Sequence, residues 1–319
     1  MEHPDLVTIF GGSGFVGTQI VQELARAGYR VRVGVRRPDL AGHLRPLGSV
    51  GQVAPIQANV RYPDSIAAAV RGASVVINLA AVGVEKGKQR FRAVNVMGAK
   101  RVAEAAKAAG VKTFIHMSVI GADAGSASLF ARSRAMGEAE VRAVLPSAIV
   151  FRPSVIFGPG DTFFNKLGLI SRMLPVMPLF GGQTQFQPVY VGDVAEAVAQ
   201  AVQGNLRAGK TYELGGPEVL TNRTLVERVL RYANRTNPIL PLPGFVGQIL
   251  AFPLGILPNP LVTSEQVTLL GIDNVVSPEA SKEKRTLQGM GIVPRPLDAV
   301  LPGYLWRFSA NGQFDRQTA

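Results

Sequence analysis

The sequence predicts an α/β fold, a doubly wound parallel sheet with a smaller C-terminal lobe. Three observations carry that expectation. Short apolar runs alternate with helical patterns over the first 160 residues, a glycine-rich turn follows the first run, and beyond Pro159 the alternation gives way to denser Pro, Gly and Phe. Apolar runs of strand length separated by amphipathic helices are what a parallel sheet needs, because each crossover helix covers a sheet face.

Six strands are expected, at Leu6 to Phe10, Val31 to Val35, Ala54 to Gln57, Val75 to Leu79, Thr113 to Met117 and Ala148 to Phe151. Between the first two, Val16, Ile20, Val21 and Leu24 recur at helical spacing, and Gly28 stands where that helix ends, completing a βαβ unit. Ala93 to Ala109 and Ser128 to Leu145 read as helices, and Val189 to Val202 as a third that Asp193 is expected to cap. The expected organisation is a dinucleotide-binding domain over residues 1–160, with 183–215 returning to it, and an interaction lobe over 161–182 and 216–319.

Composition removes several classes of chemistry. The chain of 319 residues is 47% apolar, enough to bury a full core. It has no cysteine, so disulfides and thiolate metal sites are excluded, and His3, His43 and His116 lack metal-ligand spacing. Met1 to Asp5 runs directly into the first expected strand, so no presequence is expected. A net charge of +12 implies an acidic counterpart, but the Lys and Arg are dispersed through helices rather than interleaved with aromatics, which argues against nucleic acid.

Gly11-Gly12-Ser13-Gly14-Phe15-Val16-Gly17 follows the first strand and opens the first helix. Glycines there admit unusual backbone angles and bring N–H groups to a pyrophosphate, whose charge the helix N-terminus favours. Position in a βαβ unit makes this a Rossmann-type dinucleotide loop rather than a mere tight turn. About 20 residues on, an NAD site offers an acid to the ribose; here the second strand ends in Arg36-Arg37-Pro38. Two guanidiniums suit a 2′-phosphate, so the expected cofactor is NADP(H).

With these residues in view, the chain resembles the extended and atypical short-chain dehydrogenase/reductase superfamily over about its first 215 residues. The likeness includes Asn59-Val60, Asn78-Leu79-Ala80-Ala81, Asn95-Val96-Met97-Gly98 and the run Arg152-Pro153-Ser154-Val155 through Gly160. It implies that these stretches contact the adenine, line the dinucleotide, support the active-site backbone and meet the nicotinamide, respectively.

Catalysis in the superfamily needs Tyr-x-x-x-Lys, in which the lysine lowers the phenol pKa and holds the ribose while the tyrosine exchanges a proton. The matching stretch is Phe130-Ala131-Arg132-Ser133-Arg134, and no tyrosine of the chain is followed four residues later by lysine. Phenylalanine has no proton to give, although Arg134 retains the capacity to hold a ribose. The Ser or Thr of the catalytic set falls on Ser118 or Val119. His116, alone in an apolar strand, reads as a hydrogen-bonded structural residue. No catalytic residue is therefore expected.

Within the superfamily the chain is similar to the nucleotide-binding accessory subunits of respiratory complex I, NADH:ubiquinone oxidoreductase, in their bacterial form. That likeness rests on Val7 to Gly17, Arg30 to Pro38, and the runs Leu261 to Leu270 and Asp273-Asn274-Val275-Val276. It implies a non-catalytic subunit in which bound NADP(H) stabilises the fold. The implied partners are other complex I subunits near the junction of the peripheral and membrane arms, with anionic lipid as a further contact and no nucleic acid. The implied location is peripheral, on the cytoplasmic face of the inner membrane. Thr236 to Ser264 has no charged residue and six prolines, which suits a partner or membrane interface, or equally packing over its own lobe, but not a spanning helix. Alternatives are an active NADP-dependent reductase or epimerase with an unconventional acid, and an NADP-responsive redox sensor.

Overall fold

The computed structural model describes residues 5–247, 263–310 and 312. They form two compact units, the first made of residues 1–153, 191–214 and 278–292 and the second of 154–190, 215–277 and 293–319.

The first unit is built on a seven-stranded parallel sheet. Its strands are β1 (Leu6–Phe10), β2 (Arg30–Val35), β3 (Val53–Gln57), β4 (Val75–Asn78), β5 (Thr113–Met117), β6 (Ile149–Pro153) and Thr211–Leu214. They lie in the order Thr211–Leu214, β6, β5, β4, β1, β2, β3. The winding reverses between β1 and β4, and an open crevice forms at such a switch point beyond the carboxyl ends of the strands. Strands β1 and β4 are almost wholly buried, which explains why they read as continuous apolar runs rather than alternating ones.

The crossover helices are α1 (Phe15–Arg26), α2 (Pro63–Val70), α3 (Met97–Ala108) and α4 (Leu129–Val144). Ile20, Val21 and Leu24 form the buried stripe of α1. Its end is a glycine stop: Gly28 takes φ +88°, and Tyr29 N–H closes the turn onto the Leu24 carbonyl at 3.0 Å. Ser128 caps α4 by accepting from Ala131 N–H at 3.0 Å.

Three expectations need correction. The stretch expected as one helix from Ala93 begins as a π-helical turn, Arg92–Val96, before α3. Asp193 does not stand at the start of its helix but within the first turn, as the third residue of Val191–Val202, and is buried. The units also interleave differently from the partition drawn on composition. Residues 154–160 and 183–190 lie in the second unit, and 278–292 lie in the first, where the Arg285 carbonyl accepts from Glu213 N–H at 2.9 Å and Arg285 Nη1 donates to the Thr211 carbonyl at 2.5 Å. That contact along the edge strand is invisible to local pattern.

The second unit has a core of Phe157, Phe164, Phe186, Leu225, Val229, Leu301 and Phe308 among others. Inside it the Tyr304 hydroxyl donates to the Asp161 carboxylate, which also accepts from Phe164 N–H at 2.8 Å. The runs Thr263 to Leu270 and Asp273 to Val276 both act as structural ties here. Thr263 and Gln266 form a reciprocal capping box for the helix Ser264–Leu269. Asn274 Oδ1 accepts from Ser154 Oγ at 2.7 Å and from Val155 N–H at 3.1 Å. Among the described residues no helix is long and apolar enough to cross a membrane. The Pro-rich stretch is described only in part, its residues 248–262 lying outside the described ones.

Candidate functional site

A cleft of about 410 Å³ opens at the switch point of the first unit. Gly11, Ser13, Gly14, Phe15, Val16, Gly17, Arg36, Asn59, Val60, Leu79, Ala80 and Ala81 line it, so the residues expected from the glycine loop, the second and third strand ends and the fourth strand come together on one surface. Phe10 and Gly34, within the two runs that carry the likeness, also line it, as do Ala58, Val82, Gln89 and Val94, which carry no motif that would single them out in sequence.

The loop's glycines divide by cause. A Cβ on Gly17 would sit 2.4 Å from Gly12 Cα and 2.5 Å from the Gly11 carbonyl oxygen. A Cβ on Gly12 would press on Val33 Cγ1 at 2.6 Å, and Gly11 has φ +84°. Those three are required by the fold itself. Gly14 is different: its φ of −83° suits any residue, and an added Cβ would meet only the Gly11 carbonyl at 3.5 Å. No side chain caps α1 at Gly14. The first-turn N–H groups of Phe15, Val16 and Gly17, which precede the first intrahelical bond from Thr18 N–H to the Gly14 carbonyl, are therefore left for an anion.

The two arginines separate. Arg36 lines both the cleft and an adjoining pocket of about 430 Å³ that also contains Ser13, Arg37 and His43. Arg37 reaches only the adjoining pocket and is paired with Asp39 at 2.8 Å on an exposed surface.

Phe130 is half-buried and stacks edge-on to Phe91, with centroids 6.1 Å apart. Asn95, carried on the π-turn, donates to Ser133 Oγ at 2.9 Å and exchanges bonds with the backbone of Val82 at 2.8 and 3.1 Å. Gly137 permits this approach, since a Cβ there would lie 2.3 Å from the Asn95 carbonyl oxygen. Arg134 is 3% exposed, donates Nη2 to the Met117 carbonyl, and has its Nε and Nη1 buried without partners among the described residues. Burial holds its pKa down to about 10. The Ser118 hydroxyl and His116 Nε2 are likewise buried with no partner among the described residues. Desolvation, with the nearby Arg134 charge, drives the His116 pKa far below the imidazole range, so it stays neutral. Its Nδ1 meets Asn78 Nδ2 at 3.3 Å, which makes Asn78 a partner of His116 rather than a wall of the cleft.

Gly12, Arg37, Ser118 and Arg134 are thus not on the cleft wall, nor is Pro153, the last residue of β6. Ser154 and Val155 belong to the second unit and are held by Asn274. The sequence missed that anchoring because Asn274 lies about 120 residues away.

A parallel sheet whose switch-point cleft ends on an uncapped glycine-loop helix is a dinucleotide-binding protein's architecture. The chain belongs to the NAD dependent epimerase/dehydratase family, whose sequence profile matches residues 7–215. It is 34% identical over 320 residues to the mitochondrial NADH dehydrogenase [ubiquinone] 1 alpha subcomplex subunit 9 of Arabidopsis thaliana, spanning 96% of this chain and 79% of that one. It is also 36% identical over 190 residues to a ceramide reductase of Caulobacter vibrioides, covering 60% and 58% of the two chains. In structure it is similar to an NADPH-dependent quinone oxidoreductase of Escherichia coli complexed with NADPH, with a TM-score of 0.72, 19% identity and coverage of 94% and 98%.

Proposed function

We propose that this chain is a non-catalytic accessory subunit of a respiratory NADH:ubiquinone oxidoreductase that holds NADP(H) as a structural ligand. The observation that carries the reading is an intact glycine-loop cleft beside a helix in which Phe130 and Arg134 replace the acid and its lysine. When bound, the dinucleotide would supply redox chemistry, but no side chain at position 130 can exchange a proton with a substrate oxygen. Phe15, Val16 and Gly17 N–H groups would hold the pyrophosphate, Arg36 with Ser13 the 2′-phosphate, and Asn59 and Val60 the adenine. Arg134, buried and off the cleft wall, is not assigned a contact with the dinucleotide. Supporting the assembly role are the relatives named as subunits of mitochondrial NADH dehydrogenase, matched over most of both chains. The likeness extends past the nucleotide-binding region into residues that stitch the second unit. The membrane-arm junction and the cytoplasmic face of the inner membrane are part of the same proposal.

One observation favours a second reading, an active NADP-dependent reductase: the chain's likeness to a ceramide reductase. The experiment that separates them is purification through a tag on this chain in mild detergent, with identification of co-purifying proteins and of the nucleotide released on denaturation. Complex I subunits with one NADP(H) per chain support the structural role. A lone protein that oxidises NADPH in the presence of a keto-lipid overturns it.

A further inference from the structure

The pocket that adjoins the cleft carries a side chain that the proposed function leaves unused. His43 shares its wall with Ser13, Arg36 and Arg37. It belongs to the 3-10 segment Pro38–Leu47, which Ala41 and Leu44, both almost wholly buried, pin to the body of the first unit. His43 itself is exposed, and among the described residues neither it nor Arg36 has a hydrogen-bond or ion-pair partner.

Charge decides what this wall would hold and how. Of its two arginines only Arg36 is uncommitted, because the Arg37 guanidinium is bonded to both oxygens of the Asp39 carboxylate at 2.8 to 3.2 Å. A phosphomonoester carries about −1.5 to −2 charges at pH 7, so one uncommitted guanidinium leaves the second negative charge unmet. An imidazole can supply the missing cation, since an anion brought beside it favours the protonated ring in this range of pH. Among the described residues no carboxylate on the wall competes for it. The strand β3, packed on the segment, has no titratable residue, and Glu23 and Arg26 of α1, like Arg45 of the segment itself, lie outside the lining. We propose that His43 is a proton-linked ligand of the 2′-phosphate: its imidazole takes a proton from solvent as NADP(H) binds, and the chain holds the nucleotide more tightly as the pH falls from 8.5 toward 6.5. No bond of the nucleotide changes in this step. The inference rests on the reading that this pocket receives the 2′-phosphate.

The test is calorimetric titration of the full chain, freed of nucleotide, with NADPH and with NADH, which lacks the 2′-phosphate. Measurements at pH 6.5, 7.5 and 8.5, each in two buffers of different ionisation enthalpy, give the proton count beside the affinity. NADPH affinity should fall by about fivefold from pH 6.5 to 8.5, the difference between a charged and a neutral donor to a phosphate oxygen. A fraction of a proton should be taken up at pH 7.5, and NADH should show neither effect. The sign is diagnostic, because a 2′-phosphate held by arginines alone would release protons on binding rather than take them up. His43→Gln should abolish the uptake and flatten the pH dependence, whereas His43→Lys, which keeps its charge over the whole range, should flatten it at the tighter affinity. Proton uptake that is absent from the unmodified chain, or that survives in His43→Gln, overturns the inference and leaves NADPH as the ligand. A chain that binds no NADPH overturns the inference and the nucleotide reading together.

Discussion

Two glycines of the phosphate loop should fail in opposite ways when each gains a methyl group. In Gly17→Ala the new Cβ falls 2.4 Å from Gly12 Cα and 2.5 Å from the Gly11 carbonyl oxygen, both rigid backbone. Overpacking of this kind costs about 1 to 3 kcal/mol, and the upper end applies because no side chain is available to yield. In Gly14→Ala the nearest atom is 3.5 Å away and the backbone angles are ordinary. The lost preference of an N-cap for glycine over alanine, about a few tenths of a kcal/mol to 1 kcal/mol, is offset by the lower entropy of the unfolded chain. Apo stability should then stay within about 0.5 kcal/mol of the unmodified protein. A ligand does feel the methyl, because it occupies the space over which a pyrophosphate approaches. Displacing even one phosphate from its N–H donors forfeits about 1.5 to 3 kcal/mol, or roughly 10 to 150-fold in affinity. Urea denaturation of each variant, with and without NADPH, reads both effects. At 100 times its Kd a ligand adds about 2.7 kcal/mol, and about half to nine-tenths of that increment should vanish in Gly14→Ala. A Gly14→Ala protein that keeps the full NADPH increment, or a Gly17→Ala protein as stable as its parent, would refute the division drawn between the two glycines.

Arg36→Ala should lower NADPH affinity by about tenfold or more while leaving NADH affinity nearly unchanged, and Arg37→Ala should have a smaller effect because Asp39 already offsets that charge; fluorescence titration with both nucleotides measures the difference. His116 has its pKa lowered in the fold, so below the unfolded value of 6.5 the unfolded chain takes up a proton that the folded one refuses. Stability should therefore fall as the pH drops below about 6.5, by up to about 1.4 kcal/mol per unit, and His116→Gln should flatten that part of the profile in urea midpoints compared at pH 7.5 and 5.5. Arg152 pairs with the buried Glu138 at 2.7 Å, and Arg152→Leu strands that carboxylate, so thermal unfolding should show a loss of about 3 kcal/mol, much of it restored by adding Glu138→Gln.

Periodicity located β1 and β5 to the residue and the other four expected strands to within two residues at either end, because buried parallel strands are continuous apolar runs. The glycine loop was legible for the same local reason: strand, turn and helix follow one another in the chain. What escaped was non-local or a matter of degree. The π-turn at Arg92–Val96 has the same apolar spacing as ordinary helix, so nothing in the pattern marks where Asn95 is offered to Ser133. Arg36 and Arg37 are adjacent and chemically identical, and only Asp39 and the end of β2 separate their roles. Ser154 and Val155 carry the family's motif, yet their partner is Asn274, which no local window contains. Likewise, four glycines in one loop look alike until the atoms that a Cβ would strike are known.

The edge strand Thr211–Leu214 meets residues 278–292, through the Glu213 to Arg285 bond and the Arg285 guanidinium on Thr211. On the ribosome this means that the nucleotide-binding unit is not finished when its last strand emerges; more than sixty residues must still be made before its border is sealed. During that interval a row of unpaired backbone groups stands open to any neighbouring chain, the situation in which nascent sheets are captured by chaperones or by one another. A ribosome stalled or a message truncated before residue 278 would thus release a product with every residue of the glycine-loop cleft encoded and its sheet still unguarded.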